Sequence, residues 1–311
     1  MAIEHAVVRV ARKPWGVADL RPWSGIDGSG DAIGELWFQR VDKNAPHAAL
    51  LLKLLFTSEP LSIQVHPDDA FARSIGLPNG KTEAWYILAA APDAKVALGL
   101  TRHLTSGEFR AAIRDGSIAA LAQWRSVAKG DIIFVPAGTI HAIGAGIVLA
   151  EIQQHSDATF RLFDFGRHRQ LHEDSAVAVS DAGPAQAQPG LRRLTAARTA
   201  LTACPAFVLE RIDLPANSSW VLNASRETWI LVIEGNATIG STSASVGDAV
   251  FAEADRAEIE VGRAGMSCLV AYPGPDPAMS LLEETGEHMA RADGTSAART
   301  PKPEEIVEAQ T

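Results

Sequence analysis

The run Gly130-Asp131-Ile132-Ile133-Phe134-Val135-Pro136-Ala137-Gly138-Thr139-Ile140-His141 constrains the fold more than any other stretch of the 311 residues. Residues 132–135 form an apolar strand opened by a Gly-Asp turn. Pro136 ends the ladder where its missing N–H does least harm. Gly138 permits a sharp turn that a residue with a Cβ would resist. Strand, tight turn and histidine in this order aim His141 back across whatever the strand lines. A lone histidine is commonly structural, so the weight falls on what other strands send to the same place.

Two other strands do send something. Residues 61–66 alternate as a strand, and side chains two apart share a face, so Gln64 and His66 project together. In residues 81–88 the same rule puts Lys81, Glu83 and Trp85 on one face. A glutamate and a lysine on the inner face of such a strand are costly unless paired or bound to metal. Gln64, His66, Glu83 and His141 together offer two imidazoles, a carboxylate and an amide oxygen, a donor set for a divalent ion. Two cations lie in apolar settings. Lys53, within the buried run 50–56, either snorkels to water or points into a site. Arg161, within an aromatic strand, is either a surface ion-pair partner or an anion-binding arginine.

Composition bounds the rest. Apolar residues make up 47% and charged residues 21%, which marks a globular chain. A net charge of −9 argues against nucleic acid, which asks for a basic face. Two distant cysteines, Cys204 and Cys268, fit a reduced compartment. Residues 1–10 lack a signal-peptide layout, and no apolar run approaches the ~20 residues of a membrane span. A soluble cytoplasmic protein with no membrane partner is the expectation.

The expected organisation has four parts. Residues 1–172 form a catalytic barrel with a helical insertion near 101–127, in which Ser106 is the N-cap and Gly116 breaks two short helices. Residues 173–204 form an Ala, Gln and Pro-rich linker with a short helix. Residues 205–273 read as a second set of strands, with a hairpin turn at Glu234-Gly235-Asn236. There Glu227-Thr228-Trp229 echoes Glu83-Ala84-Trp85, and Gly247-Asp248-Ala249-Val250-Phe251 echoes the run after Gly130. No histidine lies between His172 and His288, so this copy is expected to be metal-free and structural. Residues 274–311, with one short helix over 278–289, read as an acidic disordered tail.

The Gly130–His141 pattern resembles the second metal motif of the cupin superfamily. Gln-Val-His-Pro-Asp-Asp at 64–69, Gly-Lys-Thr-Glu-Ala-Trp-Tyr at 80–86, Val-Pro-Ala-Gly-Thr-Ile-His-Ala at 135–142 and Glu-Ile-Gln-Gln-His-Ser-Asp-Ala-Thr-Phe-Arg at 151–161 resemble the four signature blocks of the class I mannose-6-phosphate isomerases, in their short bacterial form. Lys13-Pro14-Trp15-Gly16, Gly34-Glu35-Leu36-Trp37 and Leu52-Lys53-Leu54-Leu55 extend the resemblance over residues 10–272.

The resemblance implies a mainly β fold of two cupin-type jelly-roll barrels, the first metal-binding and the second degenerate. It implies one Zn2+ per chain, held by Gln64, His66, Glu83 and His141, with Arg161 and Lys81 as catalytic cations. Lys53, Asp157, Glu151 and Trp15 are the expected substrate-binding residues. The implied reaction interconverts mannose 6-phosphate and fructose 6-phosphate through a cis-enediol, with a small sugar phosphate as partner and a monomer or homodimer as the assembly. Zinc-bound hydroxide, Glu151, His155 and Asp157 all stand as candidates for the general base. Two departures stand out, Val17 after Trp15-Gly16 and His155 before Ser-Asp. The alternatives are a mononuclear iron cupin oxygenase, against which Gln64 as a fourth ligand argues, and a non-catalytic sugar-binding cupin.

Overall fold

The computed structural model describes residues 3–285, apart from Ser29 and Lys43. Three antiparallel sheets account for most of it. A six-stranded sheet runs in the order Val7–Val17, Ile33–Gln39, Leu50–Thr57, Ile147–Gln154, Glu83–Ala90, Ile132–Val135. A five-stranded sheet runs Phe160–Phe163, Ile63–Val65, His141–Ile143, Lys95–Leu100, Ala122–Ser126. These two face each other across one core that includes Trp15, Leu55, Trp85, Ile87, Val96, Val135 and Leu149. Period-two alternation sends the odd-numbered Trp85 and Ile87 inward, while Ala84, Tyr86 and Leu88 pack on the outer face.

A ten-stranded sheet built mainly from residues 192–284 forms the second unit around its own apolar interior. Its outer face meets the back of the six-stranded sheet, with Trp229, Leu231 and Phe251 against Leu52, Leu54 and Tyr86. The architecture is mainly β and cupin-type, as expected, with the sheets open rather than closed. The N-terminal strand Ile3–His5 pairs not with the first unit but with Ala249–Ala252 of the second. The stretch 173–204 carries helix Glu173–Val179 and strands Arg192–Arg193 and Arg198–Ala203, the latter paired with Phe207–Leu214.

Several local expectations are corrected. The insertion's main helix, Ser106–Asp115, is capped by Thr105 rather than Ser106. Thr105 and Glu108 form a capping box there, which satisfies two otherwise orphaned N–H groups. Gly116 ends this helix in the left-handed region at φ 77°, as expected of the break. Glu234-Gly235-Asn236 is not a hairpin turn, because Thr228–Ile239 is one continuous strand. Gly235, at φ 71°, marks a bulge in its pairing with Asp255–Pro273, where a Cβ would strike the Gly265 carbonyl. In place of a helix from 278, a short 3-10 turn, Met279–Leu281, precedes strand Leu282–Glu284 on Ser219–Ala224. The remainder of the expected tail, 286–311, lies outside the described residues.

The resemblance between Glu227-Thr228-Trp229 and Glu83-Ala84-Trp85 is displaced by one residue in space. Ile87 exchanges backbone hydrogen bonds with the Gly130-Asp131 turn, and Val232 does the same with Gly247-Asp248. Ile87 lies four residues after Glu83, whereas Val232 lies five after Glu227. The residue equivalent to Glu83 is therefore Thr228. On a strand a one-residue slip exchanges the two faces. Glu227 and Trp229 thus point toward the first unit, and the second interior receives Thr228, Ile230 and Val232.

Candidate metal centre and cation-lined cavity

The Gly138 turn, at φ 85°, lets its N–H bond the His66 carbonyl at 2.8 Å and brings strand His141–Ile143 beside Ile63–Val65. Within that pairing His141 lies opposite Gln64. Strand Glu83–Ala90 approaches from the facing sheet. The ligand atoms of His66, Glu83 and His141 come within 4.8 Å of one another. Each imidazole has its Nδ1 within hydrogen-bond range of a carbonyl, Ala158 for His66 at 2.7 Å and Thr139 for His141 at 2.8 Å. A carbonyl only accepts, so Nδ1 carries the proton and Nε2 presents a lone pair. Both Nε2 atoms stand 3.4 Å from the Glu83 carboxylate.

The three side chains are each 1% exposed. Burial pushes His66 well below its ordinary range and His141 down to about 4, so both are neutral ligands. Burial raises the Glu83 carboxyl to about 7 despite the opposing charge of Lys81. Oε1 of Glu83 is buried without a hydrogen-bond donor. Such an orphaned acceptor beside two imidazole lone pairs fits a cation. The Lys81 ammonium, 2.8 Å from Glu83 Oε2 and 2.9 Å from His66 Nε2, shows that this corner accommodates positive charge. Gln64 completes the expected quartet with its amide nitrogen 3.3 Å from His141 Nε2. Rotation about its last bond would exchange that nitrogen for the oxygen.

A cavity of about 270 Å³ opens beside these ligands, and Trp15, Lys53, Gln64, Lys81, Glu151, Asp157 and Arg161 all line it. Lys53 is held by Glu151 at 3.1 Å, by Gln153 at 2.8 Å and by the Trp37 ring at 4.4 Å. Burial alone would raise the Glu151 carboxyl, but Lys53 and Lys81 hold it below its usual range, so it is ionised. Burial would likewise lower Lys81, yet Glu83 and Glu151 keep it raised and charged.

Arg161 makes no carboxylate pair within 4.0 Å among the described residues; its Nη1 bonds the Gln170 carbonyl at 2.8 Å. Its Nε is buried without a partner. The surface ion-pair reading of Arg161 is thereby set aside. Arg169 lines the same cavity and is steered there by Asp164, which accepts from its Nε at 2.8 Å.

Sequence reading missed Lys13, Glu35 and Arg169. Lys13 lies two residues before Trp15, on the same strand face, a signal that was available. Arg169 sits in a loop with no periodicity to place it. His155 is not in this cavity but in another, of about 220 Å³, with His47 and Trp229.

Fold and donor set define the chain as a cupin-type protein with a metal site in its first unit. It is 33% identical over 236 residues to a mannose-6-phosphate isomerase of Streptococcus mutans, covering 64% of this chain and 74% of that protein. A probable mannose-6-phosphate isomerase of Bacillus subtilis is 41% identical over 138 residues, 42% of this chain and 43% of the relative. The crystal structure of a Bacillus subtilis mannose 6-phosphate isomerase superposes with a TM-score of 0.74 at 24% identity, covering 88% of this chain and all of that one. A mutant phosphomannose isomerase from Salmonella typhimurium shares the fold at a TM-score of 0.71 and 16% identity, over 88% of this chain and 100% of that one. No family model matches the chain. On the Streptococcus relationship, the chain belongs to the mannose-6-phosphate isomerase family.

Proposed function

We propose that this protein is a cytoplasmic, zinc-dependent isomerase that interconverts mannose 6-phosphate and fructose 6-phosphate, working as a monomer or homodimer. The observation that carries the reading is the buried Glu83 carboxylate, with an unpartnered oxygen facing two neutral imidazoles, at one end of a cavity lined by fixed cations. Gln64, His66, Glu83 and His141 are the residues that would hold the ion. When bound, zinc would act as a Lewis acid on the sugar's carbonyl and hydroxyl oxygens, lowering the acidity barrier of the adjacent carbon.

The chain's own residues do the rest. Arg161 and Arg169 offer two guanidiniums to a dianionic phosphate, and the orphaned Arg161 Nε supplies a donor that such a group would satisfy. That anchor holds the open-chain sugar with its reacting end toward the ligands. Lys81 stays protonated and adds a fixed field where negative charge develops on the enediol oxygens. Glu151, ionised and fixed by Lys53, and Asp157 are the carboxylates on the cavity wall suited to carry the proton between C1 and C2. Trp15, 2% exposed, forms part of the dry wall.

Glu83→Gln and His141→Ala should each lose zinc by elemental analysis and lose isomerase activity by about a thousandfold or more. Full turnover of mannose 6-phosphate by a demonstrably metal-free variant would end this reading.

A further inference from the structure

The one-residue displacement of the second unit's Glu-x-Trp leaves Glu227 with a task of its own. Its side chain is 7% exposed and faces the first unit. Its carboxylate accepts the backbone N–H groups of Ala49 at 2.5 Å and Leu50 at 2.9 Å, and the Trp229 indole N–H at 3.0 Å. Three donors on one buried carboxylate, two of them from another sheet, make a clamp between the units.

What is clamped is the point from which two limbs of the site depart. One is strand Leu50–Thr57, where Lys53 lies three residues beyond Leu50 and reaches the cavity. The other begins at the Ala49 carbonyl, which accepts the His155 N–H at 2.9 Å and so ties down the segment 155–159. Within that segment the Ala158 carbonyl accepts from His66 Nδ1.

We propose that Glu227 is a positioning residue for the site: a carboxylate from the second unit that fixes the Ala49–Leu50 entry and thereby holds Lys53 in place. The inference rests on the reading of Lys53 as a substrate-binding cation. It also gives the second unit a part in the chemistry of the first. A carboxylate is needed because both of its oxygens only accept. In Glu227→Gln the amide nitrogen would confront a backbone N–H, donor against donor, at nearly unchanged volume.

The test combines kinetics with native-state amide exchange. Losing one charge-assisted hydrogen bond, Glu227→Gln should raise KM for mannose 6-phosphate about tenfold with kcat within about twofold. Lys53→Met should raise KM by itself, and adding Glu227→Gln to it should give little further rise, because the two act through one ammonium. Exchange at the Ala49 and Leu50 amides should quicken in Glu227→Gln while that of Glu83–Ala90 stays as in the wild type. Should Glu227→Gln fail to fold, Glu227→Asp, one methylene shorter, serves for the same measurements.

Full additivity with Lys53→Met, a fall in kcat at unchanged KM, or unaltered exchange at Ala49 and Leu50 would overturn the proposal. A wild-type protein inert toward mannose 6-phosphate would refute the isomerase reading alone. Exchange would then decide the clamp, faster at Ala49 and Leu50 in support and unchanged against.

Discussion

Loading the metal-free protein with a divalent ion should release a proton count set by one residue. Without metal, burial holds the Glu83 carboxyl at about 7, with Lys81 opposing and Glu151 reinforcing that rise. His66 and His141 are already neutral near pH 7, and Lys81 keeps its proton. Glu83 must ionise to bind, so release should be about 0.9 proton at pH 6, about 0.5 at pH 7 and about 0.1 at pH 8. Calorimetric titration in buffers of different ionisation enthalpy counts these protons. Mn2+ is the suitable ion, because its bound water stays neutral over this range. The same residue sets a stability trend. The folded metal-free state keeps this proton up to about pH 7, whereas a free glutamate loses it near pH 4.5. At this carboxyl the unfolded chain thus binds fewer protons in that window, and the stabilisation it gives below pH 4.5 is lost as pH rises through 7; the buried neutral His66 and His141 act in the opposite sense, because the unfolded chain protonates them below 6.5 and the folded one does not. A full proton released at pH 8, or none at pH 6, would mean that another group titrates and would refute the argument.

Three further perturbations have defined outcomes. Arg169→Met should raise KM for mannose 6-phosphate about tenfold and weaken inhibition by inorganic phosphate in parallel, while kcat changes little; a fall in kcat alone would remove Arg169 from the phosphate end. Arg198→Met should cost about 3–5 kcal/mol in urea unfolding, because it strips a bidentate partner at 2.8 Å from Glu210, which is 0% exposed. Truncation after residue 274 should also destabilise, since Arg198 bonds the carbonyls of Ala278 and Met279 and Leu282–Glu284 completes a sheet edge.

The candidate ligands were legible in the chain because strands alternate strictly and each of them sits beside a turn residue that fixes where its strand ends. Gln64 with His66, and Lys81 with Glu83, are two residues apart, and the structure does turn them toward one place. What alternation cannot report is pairing register. Glu227-Thr228-Trp229 carries the letters of Glu83-Ala84-Trp85, yet the hydrogen bonds to the Gly247-Asp248 turn start one residue later, and the chemistry leaves with the change of face. Gly235 shows the same limit, since a glycine with positive φ serves a bulge as well as a turn. Ser106 and Thr105 are both capping residues, and only the reciprocal bonds with Glu108 separate them. Arg169 was out of reach because its place is set by Asp164 and a loop rather than by any period.

The short strand Ile3–His5 has a consequence for how the molecule can be divided. It begins the chain that builds the first unit but rivets itself to the outer edge of the second, while its Glu4 accepts from Arg40 and the Val41 amide of the first. Peeling the units apart would bare the backbone of Ala249–Ala252, an open invitation to intermolecular pairing. Severed halves should therefore aggregate where the whole chain stays dispersed, and heat should melt both units in a single step.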